Sequence, residues 1–137
     1  MRQALRDRRT GSLGRSAVGA FFLVTGGVHL GIVVADPEFY RPFADGAFLP
    51  FVRDGWADVV MVHPELYGLL LMAGEIVLGV CLLVGGRAAR VGWAGVIAFQ
   101  LLLVLFGWGF LFWVVPALAV LVPLARRDLG RRQRRRS

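Results

Sequence analysis

Residues 72–86 read MAGEIVLGVCLLVGG and place a single carboxylate, Glu75, inside an otherwise apolar run. The run extends over about 66–84, which is long enough to cross a hydrocarbon core of roughly 30 Å. The whole chain agrees with this interpretation, because 57% of its 137 residues are hydrophobic, too many for an ordinary soluble domain of this size. The sequence therefore predicts an integral membrane protein.

Working outward from this run, three further apolar segments have the length of a membrane span. The four predicted spans are 16–35, 66–84, 91–107 and 110–125. Only Gly107-Trp108-Gly109 separates the last two, which predicts a tight helical hairpin; one long kinked helix and a re-entrant pair are the alternatives. We predict an all-α, polytopic four-helix bundle over residues 16–125, with a structured external loop at 36–65 between the first two spans.

The arginines predict the orientation of this bundle, because short cytoplasmic loops retain basic residues. Of the 16 basic residues, all arginine, 14 fall in the arm 1–15, the turn 85–90 and the tail 126–137. We therefore expect both termini to be cytoplasmic and the 36–65 loop to be external. The exclusive use of arginine is typical of a GC-rich bacterial genome, so we expect the bacterial inner membrane.

The basic arm and tail have a simpler interpretation than nucleic-acid binding. No aromatic residues are interleaved with the arginines of RRDLGRRQRRRS (126–137), and a membrane span directly precedes them. We expect attraction to anionic lipid headgroups, and no nucleic-acid partner. The first span is also unlike a cleaved signal peptide, because its apolar run is too long and no small-residue cleavage pattern closes it.

Polar side chains at membrane depth are costly and usually face a cavity or a partner. Glu75 is expected near the midplane, protonated or paired, with His29 or Gln100 as its partner. His29 lies four residues after Thr25, so the two share a helical face. Two interpretations of His29 remain: a neutral imidazole that only packs across the bundle, or a proton carrier and ligand contact.

The 36–65 connection is rich in aromatic residues and contains four prolines, which is unlike a solvated linker. We predict short helices near 38–45 and 51–61, folded over the mouth of the bundle. This segment is either a lid over a ligand or a packed cap. In the fourth span, Pro116 and Pro123 are expected to kink or end the helix.

Several chemistries have no support in the sequence. Cys81 is the single cysteine, so the chain cannot form an internal disulfide or a Cys-x-x-Cys redox pair. His63 and Glu65 have no third ligand nearby, so we predict no metal site. No phosphate loop, Ser-His-Asp set or dinucleotide fingerprint is present.

Five segments together resemble the DoxX-like family of small four-helix membrane proteins. They are TGGVHL (25–30), DPEFYRPF (36–43), FLP (48–50), GEIVLGVCLL (74–83) and RAARVGWAG (87–95). The resemblance implies a compact bundle with both termini inside, and a link to respiratory or redox membrane complexes that handle quinone. It matches Gly26, His29, Glu75 and Gly79 to the family pattern. The segment LLLVLFGWG (101–109) departs from it, because relatives often carry polar residues there.

Three functions are compatible with these features. The first is an accessory, redox-associated subunit of a larger membrane complex, or a homo-oligomer, with quinone as the cofactor that the resemblance suggests. The second is a membrane enzyme or binding protein for an apolar ligand such as a quinone or isoprenoid. It would use His29 and Glu75 as an acid–base pair in a pocket with Thr25, Gly26, Gly79 and Gln100. The third is proton or solute transport, which would use the same charged residues. The sequence shows no internal repeat of the kind common in transporters.

Overall fold

The computed structural model of the chain describes the backbone of residues 2–133 and the side chains of residues 13–130. Within residues 2–133 the structure is helical, with no strand. The α-helices are α1 (Arg2–Ala35), α2 (Pro50–Asp58), α3 (Pro64–Val84), α4 (Ala88–Leu103) and α5 (Trp108–Gln133). Short 3-10 helices occupy Pro37–Ala44, Val60–Val62 and Val104–Phe106.

Four helices are long and apolar enough to cross a membrane, as predicted. Their spanning parts are Leu13–Ala35, Pro64–Val84, Ala88–Phe106 and Trp108–Gly130. Two of the predicted ends, at residues 35 and 84, coincide with the observed ones, and the other six differ by one to five residues. Because α1 begins at Arg2 and α5 continues to Gln133, the basic arm and tail are not marked off from the bundle by helix ends. The molecule is a multi-pass four-helix membrane protein.

The helices form a ring in which each long helix packs mainly against two others. α1 packs most extensively against α3, α3 against α4, α4 against α5, and α5 returns to α1. The α1–α3 contact is close because glycines face it: a Cβ added at Gly79 would lie 2.7 Å from the carbonyl oxygen of Gly19. Small residues of this kind let two membrane helices approach closely.

The core lies toward the end of the bundle that carries the chain termini, here called the terminal end. Its largest fully buried members include Trp93, Leu82 and Val96. Asp128 of α5 joins this core through polar contacts: it accepts a hydrogen bond from Trp93 Nε1 at 3.1 Å and pairs with Arg15 at 3.3 Å. One carboxylate thus connects α1, α4 and α5.

The α4–α5 connection is a tight turn, which confirms the predicted helical hairpin. The 3-10 helix Val104–Phe106 ends at Gly107, whose φ is +100°, and α5 starts at Trp108. Gly107 also touches the loop between the first two spans, because a Cβ added to it would lie 1.7 Å from the carbonyl oxygen of Gly46. Only glycine satisfies both requirements at this position.

The connection between α1 and α3, residues 36–63, is structured as predicted and is called the 36–63 segment. The Asp36 side chain caps the first 3-10 helix by accepting a hydrogen bond from the Glu38 amide. Aromatic contacts then hold the segment on the hairpin; Trp56 meets Phe106 edge-on at 5.1 Å, and Phe48 meets Trp108 at 5.4 Å. This end of the bundle is called the loop end.

Pro116 and Pro123, which are expected to kink or end the fourth span, both lie inside α5, and the helix ends at neither. A kink at these prolines stays a prediction. Membrane helices tolerate internal proline where neighbouring groups satisfy the freed carbonyls.

Candidate functional site

The polar residues predicted on three different spans come together below the 36–63 segment. His29 on α1, Glu75 on α3 and Gln100 on α4 all line one cavity. Glu75 is 6% exposed and Gln100 is 3% exposed, so both are shielded from the surroundings of the bundle. Burial of polar groups in this way is expensive unless a partner or a ligand satisfies them.

His29 lies between two other polar side chains. Its Nδ1 is 2.7 Å from the Tyr40 hydroxyl, and its Nε2 is 3.7 Å from Glu75 Oε1. The first contact is a hydrogen bond, whereas the second is an electrostatic contact beyond hydrogen-bond length. The rings of His29 and Tyr40 are also stacked, with centroids 5.7 Å apart. The imidazole is therefore fixed on both sides.

Tyr40 belongs to the 36–63 segment and was missed by the sequence analysis. It is 1% exposed, and its backbone carbonyl accepts a hydrogen bond from Trp56 Nε1 at 2.9 Å. Burial raises the pKa of its phenol, and the nearby Glu75 carboxylate raises this pKa further. The hydroxyl therefore keeps its proton and is held against His29.

The cavity has a volume of about 750 Å³, within the range of small-molecule sites. Its walls are almost entirely apolar and aromatic, and its polar members are Thr25, His29, Glu75 and Gln100. The lining residues are Phe21, Phe22, Thr25, Val28, His29, Phe43, Trp56, Leu71, Glu75, Phe99, Gln100, Leu102, Leu103, Phe106, Gly109, Phe110 and Trp113.

The polar members of the wall differ in how they are satisfied. Thr25 donates its hydroxyl to the Phe22 carbonyl of its own helix at 3.2 Å. By contrast, Glu75 Oε2 and Gln100 Oε1 are buried and have no hydrogen-bond partner among the described residues. Two unsatisfied oxygens thus border an apolar space.

Part of the cavity wall also belongs to the outer surface of the bundle. Several lining residues are exposed there, among them Phe21 (46%), Val28 (55%) and Trp113 (49%). These residues lie on helices long and apolar enough to span a membrane.

The two glycines predicted for the pocket lie elsewhere. Gly26 and Gly79 are not part of the cavity wall but lie in the contact between α1 and α3. A Cβ at Gly26 would be 3.0 Å from the Ile76 side chain and 3.2 Å from the Met72 carbonyl oxygen. Their effect on the site is indirect, because they set how closely the helices that carry His29 and Glu75 approach.

Metal binding has no candidate group of ligands in the described part of the chain, where no three His, Cys, Asp or Glu side chains come together. Cys81 is a half-buried free thiol on α3. The geometry instead defines a class: a multi-pass four-helix membrane protein with an apolar cavity lined by a buried Glu75 and a half-buried His29. Comparison with protein-family models, with curated proteins and with solved structures found no match.

Proposed function

We propose that this protein binds an apolar membrane molecule, such as a quinone or an isoprenoid, in the cavity beneath the 36–63 segment. The observation that carries the proposal is the cavity itself, with apolar walls and a polar cluster of His29, Glu75 and Gln100. This arrangement is typical of small-molecule sites, in which a few polar groups orient a mainly apolar ligand. In this proposal the 36–63 segment is a lid over the ligand.

His29 and Glu75 are proposed as an acid–base pair for the head of the ligand. The two side chains are 3.7 Å apart, and an electrostatic contact of this kind acts strongly in a poorly hydrated site. A carboxylate and an imidazole that share one environment can exchange a proton with a bound molecule. This chemistry would make the protein an enzyme, whereas binding alone needs only the same cavity.

The test is mass spectrometry of molecules that remain bound after extraction in mild detergent. We expect a quinone or isoprenoid in the wild-type protein and a reduced amount in Glu75→Gln. Glu65→Gln is the matched control, because it makes the same change at an exposed position of the same helix. The proposal would be refuted if the wild-type protein carried no apolar molecule other than bulk lipid and also took up no added quinone or isoprenoid.

A second candidate function is that of an accessory subunit in a redox-linked membrane complex, as the resemblance to the DoxX-like family suggests. One observation favours it: Gly27 and Gly31 lie four residues apart on α1, are exposed, and have no heavy atom within 4 Å of an added Cβ. Such a face admits a close-packed helix from a partner or from a second copy. Copurification of a stoichiometric protein that Gly27→Leu abolishes would support this function.

We also propose that the protein lies in the bacterial cytoplasmic membrane with both termini in the cytoplasm. The proposal rests on 14 of the 16 arginines lying in the arm, the tail and the 85–90 turn. The basic arm and tail would then contact anionic lipid headgroups. Reporter fusions at the C-terminus and within residues 45–49 test the orientation, and we expect cytoplasmic activity only at the C-terminus.

A further inference from the structure

Polar contacts connect Tyr40, through His29, to Glu75 at the cavity. The Tyr40 hydroxyl and His29 Nδ1 are hydrogen-bonded at 2.7 Å. In the neutral tautomer that accepts from Tyr40 at Nδ1, the imidazole carries its own proton on Nε2. Nε2 faces Glu75 Oε1 at 3.7 Å. In this tautomer, both donors point toward the Glu75 carboxyl group.

The series of polar contacts from Tyr40 through His29 ends at an acceptor that receives no hydrogen bond. Glu75 Oε2 is buried and has no partner among the described residues, and the same holds for Gln100 Oε1. Both side chains are more than nine-tenths buried and line the same cavity. Buried acceptors that remain unsatisfied are costly, and native structures rarely keep them without a water or a ligand.

The other polar groups of the cavity wall do not supply the missing donor. Thr25 uses its hydroxyl proton within α1, and the indole N–H of Trp56 is donated to the Tyr40 carbonyl. Gln100 has an amide NH2 group of its own, but Glu75 Oε2 accepts no hydrogen bond from it. A molecule that fills the cavity can therefore supply a donor for Glu75 Oε2 and Gln100 Oε1.

We infer that the ligand of this cavity is a lipophile with a hydroxyl head, such as an isoprenoid alcohol or a quinol, bound in preference to its ether or ketone counterpart. The inference rests on the proposed function and specifies its ligand class. The hydroxyl donates to Glu75 Oε2 or Gln100 Oε1, and the apolar body lies against the aromatic walls. A long tail would leave the cavity beside the exposed side chains of Val28 and Trp113 and extend into the bilayer.

The test compares two probes with the same chain and the same oxygen atom. Farnesol has a hydroxyl group, whereas farnesyl methyl ether carries a methyl group in place of the hydroxyl hydrogen and cannot donate a hydrogen bond. Trp56 and Trp113 line the cavity, so the tryptophan fluorescence of purified protein in detergent reports binding of either probe. We expect farnesol to bind at least tenfold more tightly, because the ether leaves buried acceptors unsatisfied.

The outcomes separate this inference from the proposed function. Equal binding of both probes, or tighter binding of the ether, would overturn the hydroxyl preference and leave an apolar ligand site. Binding of neither probe, together with no uptake of a quinol, would refute both the inference and the proposed function.

A variant tests the acceptor directly. Gln100→Leu removes one acceptor at similar side-chain volume, so we expect the preference for farnesol to fall several-fold while the affinity for the ether is retained. Glu65→Gln, at an exposed site outside the cavity, should keep the full preference. An unchanged preference in a folded Gln100→Leu protein would exclude Gln100 as an acceptor, and if Glu75→Gln also kept it, the inference would be overturned. If a variant fails to fold, the comparison of farnesol with its methyl ether in the wild-type protein still tests the inference.

Discussion

The Tyr40 hydroxyl lies 2.7 Å from Nδ1 of His29, and this hydrogen bond joins the 36–63 segment to the first membrane span. The two rings stack with an angle of 24° between their planes. Because Nε2 of the same imidazole meets Glu75, a movement of the segment would also move the groups of the cavity. The position of the 36–63 segment and the geometry of the site are thus coupled through His29.

This contact predicts a loss of stability at alkaline pH. The pKa of Tyr40 is raised above its ordinary value of 10.0, first by burial and then by Glu75. The unfolded chain therefore loses this proton at a lower pH than the folded protein does. The stabilisation is fully present below pH 10.0, and it is lost as the pH rises through the folded pKa.

The measurement is the melting temperature in detergent between neutral pH and pH 11. We expect it to fall above about pH 10 in the wild type and to fall less steeply in Tyr40→Phe. At neutral pH the same variant should lose about 1 kcal/mol, because one hydrogen bond is removed. Identical alkaline profiles for the two proteins would show that Tyr40 does not control this transition. Tyr67→Phe is the control, since Tyr67 is the second tyrosine of the chain.

A second prediction concerns the polar contact at the terminal end. Asp128→Ala should lower the free energy of unfolding by about 1–3 kcal/mol, because it leaves the buried indole N–H of Trp93 without this acceptor and Arg15 without this carboxylate. Asp128→Asn keeps an acceptor and should lose less. Unfolding in mixed micelles measures both; equal losses would mean that the Trp93 hydrogen bond contributes little.

A third prediction compares two glycines of α3. Gly79→Ala should destabilise the bundle by about 1–3 kcal/mol, because its Cβ would lie 2.7 Å from the Gly19 carbonyl oxygen and force α1 and α3 apart. Gly74→Ala is the matched control, since a Cβ there meets nothing within 4 Å, and it should be neutral or slightly stabilising. If thermal unfolding were equally affected by both changes, close packing at Gly79 would not be the cause.

The sequence was sufficient to predict the spans and the structured loop, because hydropathy, proline and glycine act locally. It was also sufficient to single out His29, Glu75 and Gln100, since polar residues in apolar spans are few. The structure brings these three to one cavity, but their chemical roles stay a prediction. Gly26 and Gly79, assigned to the pocket by resemblance, lie in a helix contact instead.

Two groups were missed by the sequence analysis. Tyr40 is one aromatic among many in its segment, and only the docked 3-10 helix turns its hydroxyl toward His29. Asp128 lies among arginines, within the predicted basic tail 126–137. A signal for it existed, because Leu121, Ala125 and Asp128 are spaced by four and three residues and share the buried face of α5.

The last prediction tests the contact between the hairpin and the 36–63 segment. Gly107 has a φ of +100°, and a Cβ there would lie 1.7 Å from the Gly46 carbonyl oxygen. Gly107→Ala should therefore cost at least about 2 kcal/mol, from backbone strain and from displacement of the segment. Limited proteolysis should cleave residues 45–50 faster in this variant. Gly55→Ala is the control, because Gly55 lies in the same segment but has open space around an added Cβ, and it should be cleaved at the wild-type rate. If Gly107→Ala were cleaved no faster than Gly55→Ala, the segment would not depend on this turn for its position.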